Sequence, residues 1–300
     1  MRIVVIGGKG LIGRCVMALA KSKGHEVLAL TRQHPIQDQK IRTEYWNGKD
    51  VDRLSEILKT VDAVVNLAGE NIGKRRWTTG RKEVLLNSRL EPAKALVEAL
   101  GSCQNPPHTL IQASAIGYYG TGNGVKTEDA PNGADYLSGF ASTWEKATAG
   151  IERLGIRRII IRSGVVLDAK QGVLPQLKLP FQLMVGGRVG SGDQVYSWIH
   201  IHDEAAAIVY LLEKQNCSGV YNLTAPEPVT NREMGLALAK VMHRPFWFPL
   251  PAFVLRLVLG EMSTLVLDGQ RVLPARLLQS GFIFQFPIIE TALNDLILPY

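Results

Sequence analysis

The chain has 300 residues, of which 46% are apolar and 20% charged, so it can bury a substantial core and is not a disordered chain. Its net charge is +7, but the densest basic cluster, Lys74-Arg75-Arg76, is shorter than a nucleic-acid-binding stripe, so we expect no nucleic-acid partner. No apolar run reaches the roughly 18 residues of a membrane span, so we expect no membrane partner.

From residue 2 to residue 167, short apolar strands alternate with helical patterns. The predicted strands are Arg2–Ile6, Glu26–Thr31, Ile41–Trp46, Asp62–Leu67, Thr109–Ser114 and Arg157–Ser163. The predicted helices are Leu11–Lys23, Val51–Lys59, Arg81–Leu100 and Ser138–Leu154. Strands without polar alternation, separated by helices, are typical of a parallel sheet buried on both faces. Repeated βαβ units with right-handed crossovers predict a doubly wound sheet.

Past residue 167 this rhythm breaks. Glycines and prolines crowd residues 172–192, after which a helix over Asp203–Lys214 and a strand over Gly219–Leu223 are predicted to return to the sheet. The remaining predicted helices are Asn231–Met242, Ala252–Leu259, Ala275–Gln279 and Ile288–Leu298. The sequence therefore predicts an α/β fold with two domains. Residues 1–167, joined by 199–225, form a Rossmann-like doubly wound parallel sheet, and residues 168–198 and 226–300 form a smaller, mostly helical substrate or cap domain.

The first strand runs into a glycine-rich turn and a helix. Gly7, Gly10 and Gly13 follow the spacing G-x-x-G-x-x-G in the strand–turn–helix context that a dinucleotide-binding fingerprint requires. Glycine allows a positive φ and a close backbone approach to a pyrophosphate, which the free N–H groups of the helix N-terminus then bind. A glycine-rich turn without a ligand is the alternative. The residues predicted to bind the dinucleotide here are Gly7, Gly8, Gly10, Leu11, Ile12 and Gly13.

The end of the second strand favours NADP(H) over NAD(H). An NAD site places an acidic residue there to accept a hydrogen bond from the ribose 2′-hydroxyl. This chain instead has Thr31 and Arg32, which can donate to a 2′-phosphate. The alternative for Arg32 is an ordinary surface arginine.

These motifs, with several that follow, resemble those of the extended short-chain dehydrogenase/reductases, the group of the nucleotide-sugar epimerases and dehydratases. Within that group, the chain is most similar to the branch called epimerase family protein, which carries a C-terminal domain of unknown function. The similarity runs nearly from end to end. The residues that carry it are Gly7-x-x-Gly10-x-x-Gly13, Asn66–Glu70, Arg76-Trp77, Ser88-Arg89, Ser114, Trp144-Glu145, Trp198–Asp203, Gly269–Pro274 and Gly281-Phe282.

The resemblance implies further cofactor contacts. It implies that Leu67, Ala68 and Gly69 lie against the adenosine ribose, where small residues leave room for a flat ligand, although helix–sheet packing would also explain them. It implies that Val166 lies near the nicotinamide. Arg89, on the long helix, is a candidate for contacting a cofactor phosphate or a bound acid, and a solvated helical arginine is its alternative.

The expected catalytic pair is incomplete. Most members of the group use Tyr-x-x-x-Lys, in which the tyrosine is the acid/base and the lysine lowers its pKa, because a free phenol titrates near pH 10. Here Tyr136 is present, but Phe140 stands in the lysine position. By the same resemblance, Ser114 hydrogen-bonds the substrate, and Tyr119 matches a Tyr-Gly turn that can reach the site. Packed tyrosines with satisfied hydroxyls are the alternative reading.

Other polar residues receive structural interpretations. Asp203 is expected to cap the helix that follows it, and Glu145 to be a solvated helix glutamate. His200 and His202 alternate on a predicted strand and so face opposite sides, which does not favour a metal site. Cys15, Cys103 and Cys217 are scattered and odd in number, which suits a reducing compartment. With an N-terminal apolar run too short for a signal peptide, they lead us to expect a cytoplasmic protein without a metal.

The sequence thus supports an NADP(H)-dependent oxidoreductase or epimerase-like enzyme that acts on a small polar substrate such as a nucleotide sugar. Two alternatives stay open. One is a non-catalytic NADP(H)-binding regulator or redox sensor, favoured by the missing lysine. The other is isomerase or dehydratase chemistry without net cofactor turnover. Relatives in the group often dimerise through their two long helices, so a homodimer through residues 81–100 and 138–154 also stays open.

Overall fold

A computed structural model describes residues 1–32 and 42–298 of the chain. Its strands are β1 (Arg2–Ile6), β2 (Glu26–Thr31), β3 (Arg42–Tyr45), β4 (Ala63–Asn66), β5 (Thr109–Ala115), β6 (Gly122–Lys126), β7 (Arg157–Ser163), β8 (Val165–Leu167), β9 (Val195–Tyr196), β10 (Trp198–His200), β11 (Gly219–Leu223), β12 (Val229–Thr230) and β13 (Gln270–Val272). Its α-helices are α1 (Leu11–Ser22), α2 (Val51–Leu58), α3 (Thr79–Ser102), α4 (Tyr136–Lys146), α5 (Leu174–Gln182), α6 (Ile201–Glu213), α7 (Asn231–Met242), α8 (Ala252–Leu259), α9 (Thr264–Leu267), α10 (Ala275–Gln279) and α11 (Ile289–Ile297).

The central sheet has seven parallel strands in the order β3-β2-β1-β4-β5-β7-β11. The chain winds outward in one direction from β1 to β3 and in the other from β4 to β11. The strand order therefore reverses between β1 and β4, and ligands of such sheets bind at the carboxyl ends of the strands beside this reversal. The predicted Rossmann-like, doubly wound parallel sheet is confirmed.

Helices cover the sheet on both faces. In β1, Ile3 and Val5 belong to one core cluster with residues of α1 and α6, whereas Val4 and Ile6 belong to another with residues of α2 and α3. Successive strand residues point to opposite faces, so a strand covered on both sides must be apolar without interruption. This explains why β1 has no polar alternation.

The C-terminal half builds a second, smaller core around Trp198. That side chain is fully buried and packs among residues of α7 and α11. Two short strand pairs, β8–β10 and β6–β13, connect this unit to segments before residue 168, and a third, β9–β12, forms within it. In the last pair, a segment near residue 271 lies beside one near residue 125, so the C-terminal unit folds back onto the first half of the chain. No helix in the described ranges, 1–32 and 42–298, is both long and apolar enough to cross a bilayer.

The structure differs from the sequence prediction in several places. The helix predicted over Ser138–Leu154 ends at Lys146, because Gly150 has a φ of 98° and separates it from a 3-10 turn over Ile151–Leu154. The predicted third strand began at Ile41, which lies outside the described residues, and the strand is observed over Arg42–Tyr45. Strands of two to five residues, such as β6 and β9, are too short to show a period in the sequence.

Two predictions around α6 were wrong. The N-cap of α6 is His200, not Asp203, and its Nδ1 accepts the backbone N–H of His202 at 3.1 Å. The Asp203 carboxylate instead accepts the backbone N–H groups of Gln285 and Phe286, both at 2.9 Å, and so ties the C-terminal segment to α6. His202 lies on the helix rather than on a strand, and its ring centre is 5.3 Å from that of His200, so the two rings do not face opposite sides.

A buried carboxyl lies one residue further along α6. Glu204 is fully buried, and Ser163 donates a hydrogen bond to its Oε1 at 2.5 Å. Its Oε2 has no hydrogen-bond partner within the described part of the chain. Burial in this apolar surrounding raises the pKa of Glu204 to about 8, against a small opposing effect of Ser163. The side chain therefore enters the folded core as the neutral acid at neutral pH.

This neutral acid makes folding pH-dependent. Between about pH 4.5 and 8 the unfolded chain releases the Glu204 proton and the folded chain keeps it, so stability is lost as the pH rises. We expect Glu204→Gln to remove up to about 1.4 kcal/mol of this loss per pH unit. Urea unfolding of both proteins from pH 5 to 8 checks this, with Glu56→Gln at an exposed position as control. A constant difference between wild type and Glu204→Gln across this range would contradict the assignment.

Candidate functional site

The turn between β1 and α1 is built from glycines for two different reasons. Gly7 has a φ of 80°, and a Cβ there would lie 2.8 Å from the carbonyl oxygen of Leu67. A Cβ on Gly8 would lie 2.8 Å from that of Ala29, and one on Gly13 would lie 2.7 Å from Gly7 O. These three glycines are therefore required for packing the turn on β2, β4 and α1.

Gly10 has the other function, because it leaves the start of α1 open. Gly10 is the N-cap residue of α1, and because it has no side chain it makes no capping hydrogen bond to the first N–H groups of the helix. The first turn, which contains the predicted ligands Leu11 and Ile12, has no acidic residue. The first N–H groups of a helix have no intrahelical acceptor and carry a partial positive charge. This arrangement fits the pyrophosphate of a dinucleotide.

A cavity of about 410 Å³ lies beside this turn, at the carboxyl ends of β1, β2 and β4. It brings together seven residues predicted from the sequence to bind the cofactor: Gly7, Gly10, Thr31, Arg32, Leu67, Ala68 and Gly69. Its wall also includes residues to which sequence analysis assigned no role: Trp46, Asn47, Gly48, Ser88, Glu91 and Pro92. The first three of these follow β3, so their position at the end of a parallel strand was the available signal.

Arg32 forms an ion pair at the rim of this cavity. Its Nη2 lies 3.1 Å from Glu70 Oε1, and the Arg32 side chain is 66% exposed. Arg81 approaches the other carboxylate oxygen of Glu70 at 3.6 Å. Burial raises the pKa of Glu70, but the hydrogen bond from Arg32 and the charges of both arginines outweigh it and lower the pKa overall. Glu70 is thus an anion that holds Arg32 beside the cavity.

Arg89 is buried rather than solvated. Its guanidinium donates to the carbonyl oxygens of Leu85 and Glu70 at 3.0 and 3.1 Å, and a Cβ on Gly69 would lie 2.9 Å from its Cζ. Burial lowers the pKa of Arg89 to about 10, so it still carries its charge at neutral pH. Its Nε has no partner among the residues described, which fits an acceptor supplied by a ligand. The predicted cofactor contact remains a prediction.

The charge of Arg89 lies against the aromatic face of α4. Its Cζ is 5.1 Å from the ring centre of Phe140 and 4.8 Å from that of Trp144. Phe140 occupies the position of the lysine in the Tyr-x-x-x-Lys pair. A cation from α3 therefore stacks on the residue that replaces the lysine of α4.

The Ser114 side chain belongs to a buried polar network that the sequence did not predict. Its hydroxyl donates to Glu145 Oε1 at 2.7 Å, and Arg162 binds both oxygens of that carboxylate at 2.8 and 2.9 Å. All three side chains are buried, so the expectation that Glu145 is solvated was wrong. The signal in the sequence was Arg162 directly after the apolar run Ile159–Ile161, because a buried guanidinium requires a carboxylate partner.

Tyr119 belongs to the same network. Arg162 Nη1 donates to its hydroxyl at 2.9 Å, and the hydroxyl donates to Asn222 Oδ1 at 2.7 Å. The guanidinium of Arg162 also stacks on the ring of Tyr118, at 3.4 Å from Cζ to the ring centre. Burial raises the pKa of Tyr119, although the charge of Arg162 opposes this. The Tyr119 hydroxyl thus has both a donor and an acceptor inside the protein.

Tyr136 lies apart from this network, at the start of α4. It is 38% exposed, and its ring centre is 5.4 Å from that of Trp77 in the loop after β4. Lys82 Nζ of α3 lies 4.4 Å from the Tyr136 ring centre, and the same ammonium pairs with Glu261 of the C-terminal unit. Burial raises the pKa of Tyr136, and Lys82 partly offsets this. Of the two candidate tyrosines, Tyr119 and Tyr136, only Tyr136 therefore has a phenol that a ligand can reach.

Val166 lies on β8 near the start of α1. Gly172 lies beside both Val166 and Leu11. A Cβ at residue 172 would be 3.4 Å from the Val166 carbonyl oxygen and 3.5 Å from Leu11 Cδ2. The glycine at 172 lets this segment pass close to both, with a φ of 73°. Val166 therefore lies close to Leu11 in the first turn of α1.

Comparison with known proteins matches both parts of the chain. A model of the NAD dependent epimerase/dehydratase family matches residues 3–143, and one of a domain of unknown function, DUF1731, matches residues 250–296. Epimerase family protein YfhF of Bacillus subtilis is 40% identical over 300 residues, which cover 99% of this chain and 98% of that protein.

Two solved structures resemble the fold closely. The human epimerase family protein SDR39U1 (isoform 2), solved with NADPH, is 34% identical, has a TM-score of 0.89 and matches over 99% of both chains. A nucleoside-diphosphate sugar epimerase from Corynebacterium glutamicum is 31% identical with a TM-score of 0.81, and the match covers 99% of this chain and 58% of the other.

The buried network predicts a large effect of one isosteric change. Glu145→Gln removes the charge that compensates Arg162, and an uncompensated buried charge costs about 3–5 kcal/mol of folding free energy. Urea unfolding measures the loss. The control is Glu152→Gln, which removes the pair with Arg158 at a carboxylate whose side chain is 52% exposed, and we expect a loss below about 1 kcal/mol. Equal losses in the two variants would show that the Glu145 pair is not effectively buried.

Proposed function

Because the chain belongs to the NAD-dependent epimerase/dehydratase family of extended short-chain dehydrogenase/reductases, we propose that it is an NADP(H)-dependent oxidoreductase or epimerase-like isomerase. Its proposed substrate is small and polar, and its similarity to a nucleoside-diphosphate sugar epimerase supports a nucleotide sugar. The observation that carries the proposal is the uncapped start of α1 beside a cavity with Arg32 at its rim.

Arg32 supports NADP(H) as the cofactor. A guanidinium can bind a 2′-phosphate through two hydrogen bonds, and β2 ends without the acidic residue that a ribose 2′-hydroxyl requires. The human relative that was solved with NADPH supports the same choice. Glu70 already accepts a hydrogen bond from Arg32, so a bound 2′-phosphate has to replace the Glu70 carboxylate or share Arg32 with it.

The cofactor, when bound, supplies hydride exchange with a carbinol carbon of the substrate. We assign the movement of the hydroxyl proton to Tyr136, whose phenol is exposed near the loop after β4. Ser114 donates its one proton to Glu145, so it offers only lone pairs and accepts a hydrogen bond from a substrate hydroxyl. Tyr119 acts through Arg162 and Glu145 and positions Ser114.

Two cations from α3 support a phenolate at Tyr136 without the missing lysine. Lys82 lies against the ring, and Arg89 lies over Phe140 in the next turn of α4. Burial and the charge of Glu261 raise the pKa of Tyr136 overall, and the charges of Lys82 and Arg89 limit this rise. We therefore propose that Lys82 and Arg89 of α3 together take over the function that the lysine of the Tyr-x-x-x-Lys pair has in the wider group.

A non-catalytic NADP(H)-binding regulator is the second candidate. The observation that favours it is Phe140, because neither cation from α3 forms a hydrogen bond to the Tyr136 hydroxyl in the part of the chain that the structure describes. A regulator would bind the cofactor with the same residues and would not turn it over.

Arg32→Ala tests the choice of cofactor. Loss of a charge-assisted phosphate contact lowers NADPH affinity by about tenfold to a hundredfold, whereas NADH affinity changes by less than about twofold. Calorimetric titration with both nucleotides measures this. Arg42→Ala is the matched control, because Arg42 also pairs with a glutamate at the surface but lies at the amino end of β3. Equal losses for the two nucleotides would remove the 2′-phosphate from the proposal.

Tyr136→Phe tests catalysis and separates the two candidate functions. We expect it to lower kcat at least about a hundredfold in NADPH oxidation with a panel of carbonyl substrates, followed at 340 nm, and to preserve NADPH affinity. Tyr119→Phe should lower kcat much less than Tyr136→Phe does and should also lower stability, because it removes a bond inside the buried network and acts on Ser114 only indirectly. Tight NADPH binding by the wild type without turnover of any substrate would favour the regulator.

A further inference from the structure

The C-terminal unit exposes a large group of apolar side chains. None of the eight residues of α8 is buried. We define the α8 surface by its exposed apolar residues, which come from two segments: Leu179, Leu183, Met184, Val185, Trp247, Phe248, Phe253, Leu257 and Val258. Trp247, Phe253 and Leu257 are 63%, 69% and 76% exposed. A concentration of this size on one part of a protein indicates a binding surface.

Hydrogen bonds to backbone carbonyl oxygens join the two segments. Trp247 Nε1 donates to Met184 O at 2.9 Å, and the backbone N–H groups of Trp247 and Phe248 both donate to Gly186 O. Two residues further on, Leu250 N donates to Arg188 O at 2.8 Å. The aromatic residues are therefore held beside the end of α5, and α8 begins directly after this contact.

The charges in these segments all have one sign. Residues 174–192 and 234–260 contain no aspartate or glutamate. Lys178, Arg188, Lys240, Arg244 and Arg256 lie in them, and none forms an ion pair with another described residue. The α8 surface is thus apolar, and the charged residues within its two segments are all basic, with Asp193, Glu233 and Glu261 directly beyond the ends of those segments.

We propose that the α8 surface binds peripherally to an anionic lipid bilayer. Apolar and aromatic side chains enter the region between headgroups and acyl chains, and arginine and lysine side chains bind the phosphate headgroups. Tryptophan favours this interfacial depth because its ring is amphipathic. The proposal replaces the initial expectation that the protein has no membrane partner, which rested on the absence of a spanning segment.

Two features of the surface favour lipid over protein. In a two-fold dimer the same patch faces itself, so the cations of its two segments would face one another. A protein partner also needs about one hydrogen bond per 100–200 Å² of interface. Between residues 179 and 185 and between residues 244 and 258, Gln182 is the single uncharged polar side chain. A lipid surface requires no such bonds.

The test uses the full-length protein with sedimented vesicles. We expect binding to phosphatidylcholine vesicles that contain phosphatidylglycerol, weak binding to pure phosphatidylcholine, and a decrease with added salt. The Trp247 emission should be quenched by brominated lipid, and Trp247→Phe should remove most of this quenching. Quenching that is unchanged in Trp247→Phe would overturn the proposed orientation.

Variants identify the surface. Phe253→Ser together with Leu257→Ser should weaken binding at least about tenfold, and Arg244→Gln together with Arg256→Gln by about fivefold per charge. Ile283→Ser is the matched control, because Ile283 is 88% exposed and lies outside the surface. Thermal unfolding verifies that each variant is folded.

Three results of the vesicle assay would overturn the proposal. They are a wild type that stays in the supernatant, equal binding to neutral and anionic vesicles, and equal losses in the Ile283 and Phe253/Leu257 variants. A wild-type dimer that becomes monomeric in the Phe253/Leu257 variant would assign the surface to a second copy and also reject the lipid.

Discussion

The close contact of the first turn with the end of β4 is the constraint on which the site depends. Gly7 has no Cβ because the carbonyl of Leu67 occupies that space, and the turn can therefore lie directly on the edge of the sheet. This contact directs the start of α1 at the point where the strand order reverses. Gly10 leaves the helix without a capping side chain, at the expense of some helix stability, and so keeps free the position at which we propose that the pyrophosphate binds.

The two buried arginines, Arg89 and Arg162, differ in how their charges are compensated, and they therefore have different roles in the site. Arg162 has a carboxylate on two of its nitrogens, so its charge is neutralised and its effect is to orient Glu145 and Ser114. Arg89 is held by carbonyl oxygens and aromatic rings and has no carboxylate partner among the described residues. Its positive charge is therefore available to a ligand or a phenolate, whereas that of Arg162 is not.

The sequence predicted the parts of the molecule that depend on local pattern. β1, β2, β7 and β11 begin and end at the predicted residues, and the predicted residues that line the cavity lie at the carboxyl ends of β1, β2 and β4. Glu145 could not be placed in this way, because its partner is 17 positions away on another element and helical spacing alone cannot show that partner. The predicted role of Asp203 was wrong for the same reason, because its carboxylate oxygens accept hydrogen bonds from a segment about 80 residues later in the chain.

The network around Ser114 also connects the two units of the fold. Asn222 accepts from Tyr119 with its side-chain oxygen and donates its side-chain nitrogen to Leu273 O of the C-terminal segment. Its backbone N–H donates to Glu128, which also accepts the backbone N–H of Arg276. Any displacement of the segment after β13 must therefore break or move a bond that reaches Ser114 through Tyr119, Arg162 and Glu145. Because buried polar bonds are costly to leave unmade, the C-terminal unit and the proposed catalytic serine are held in one fixed arrangement.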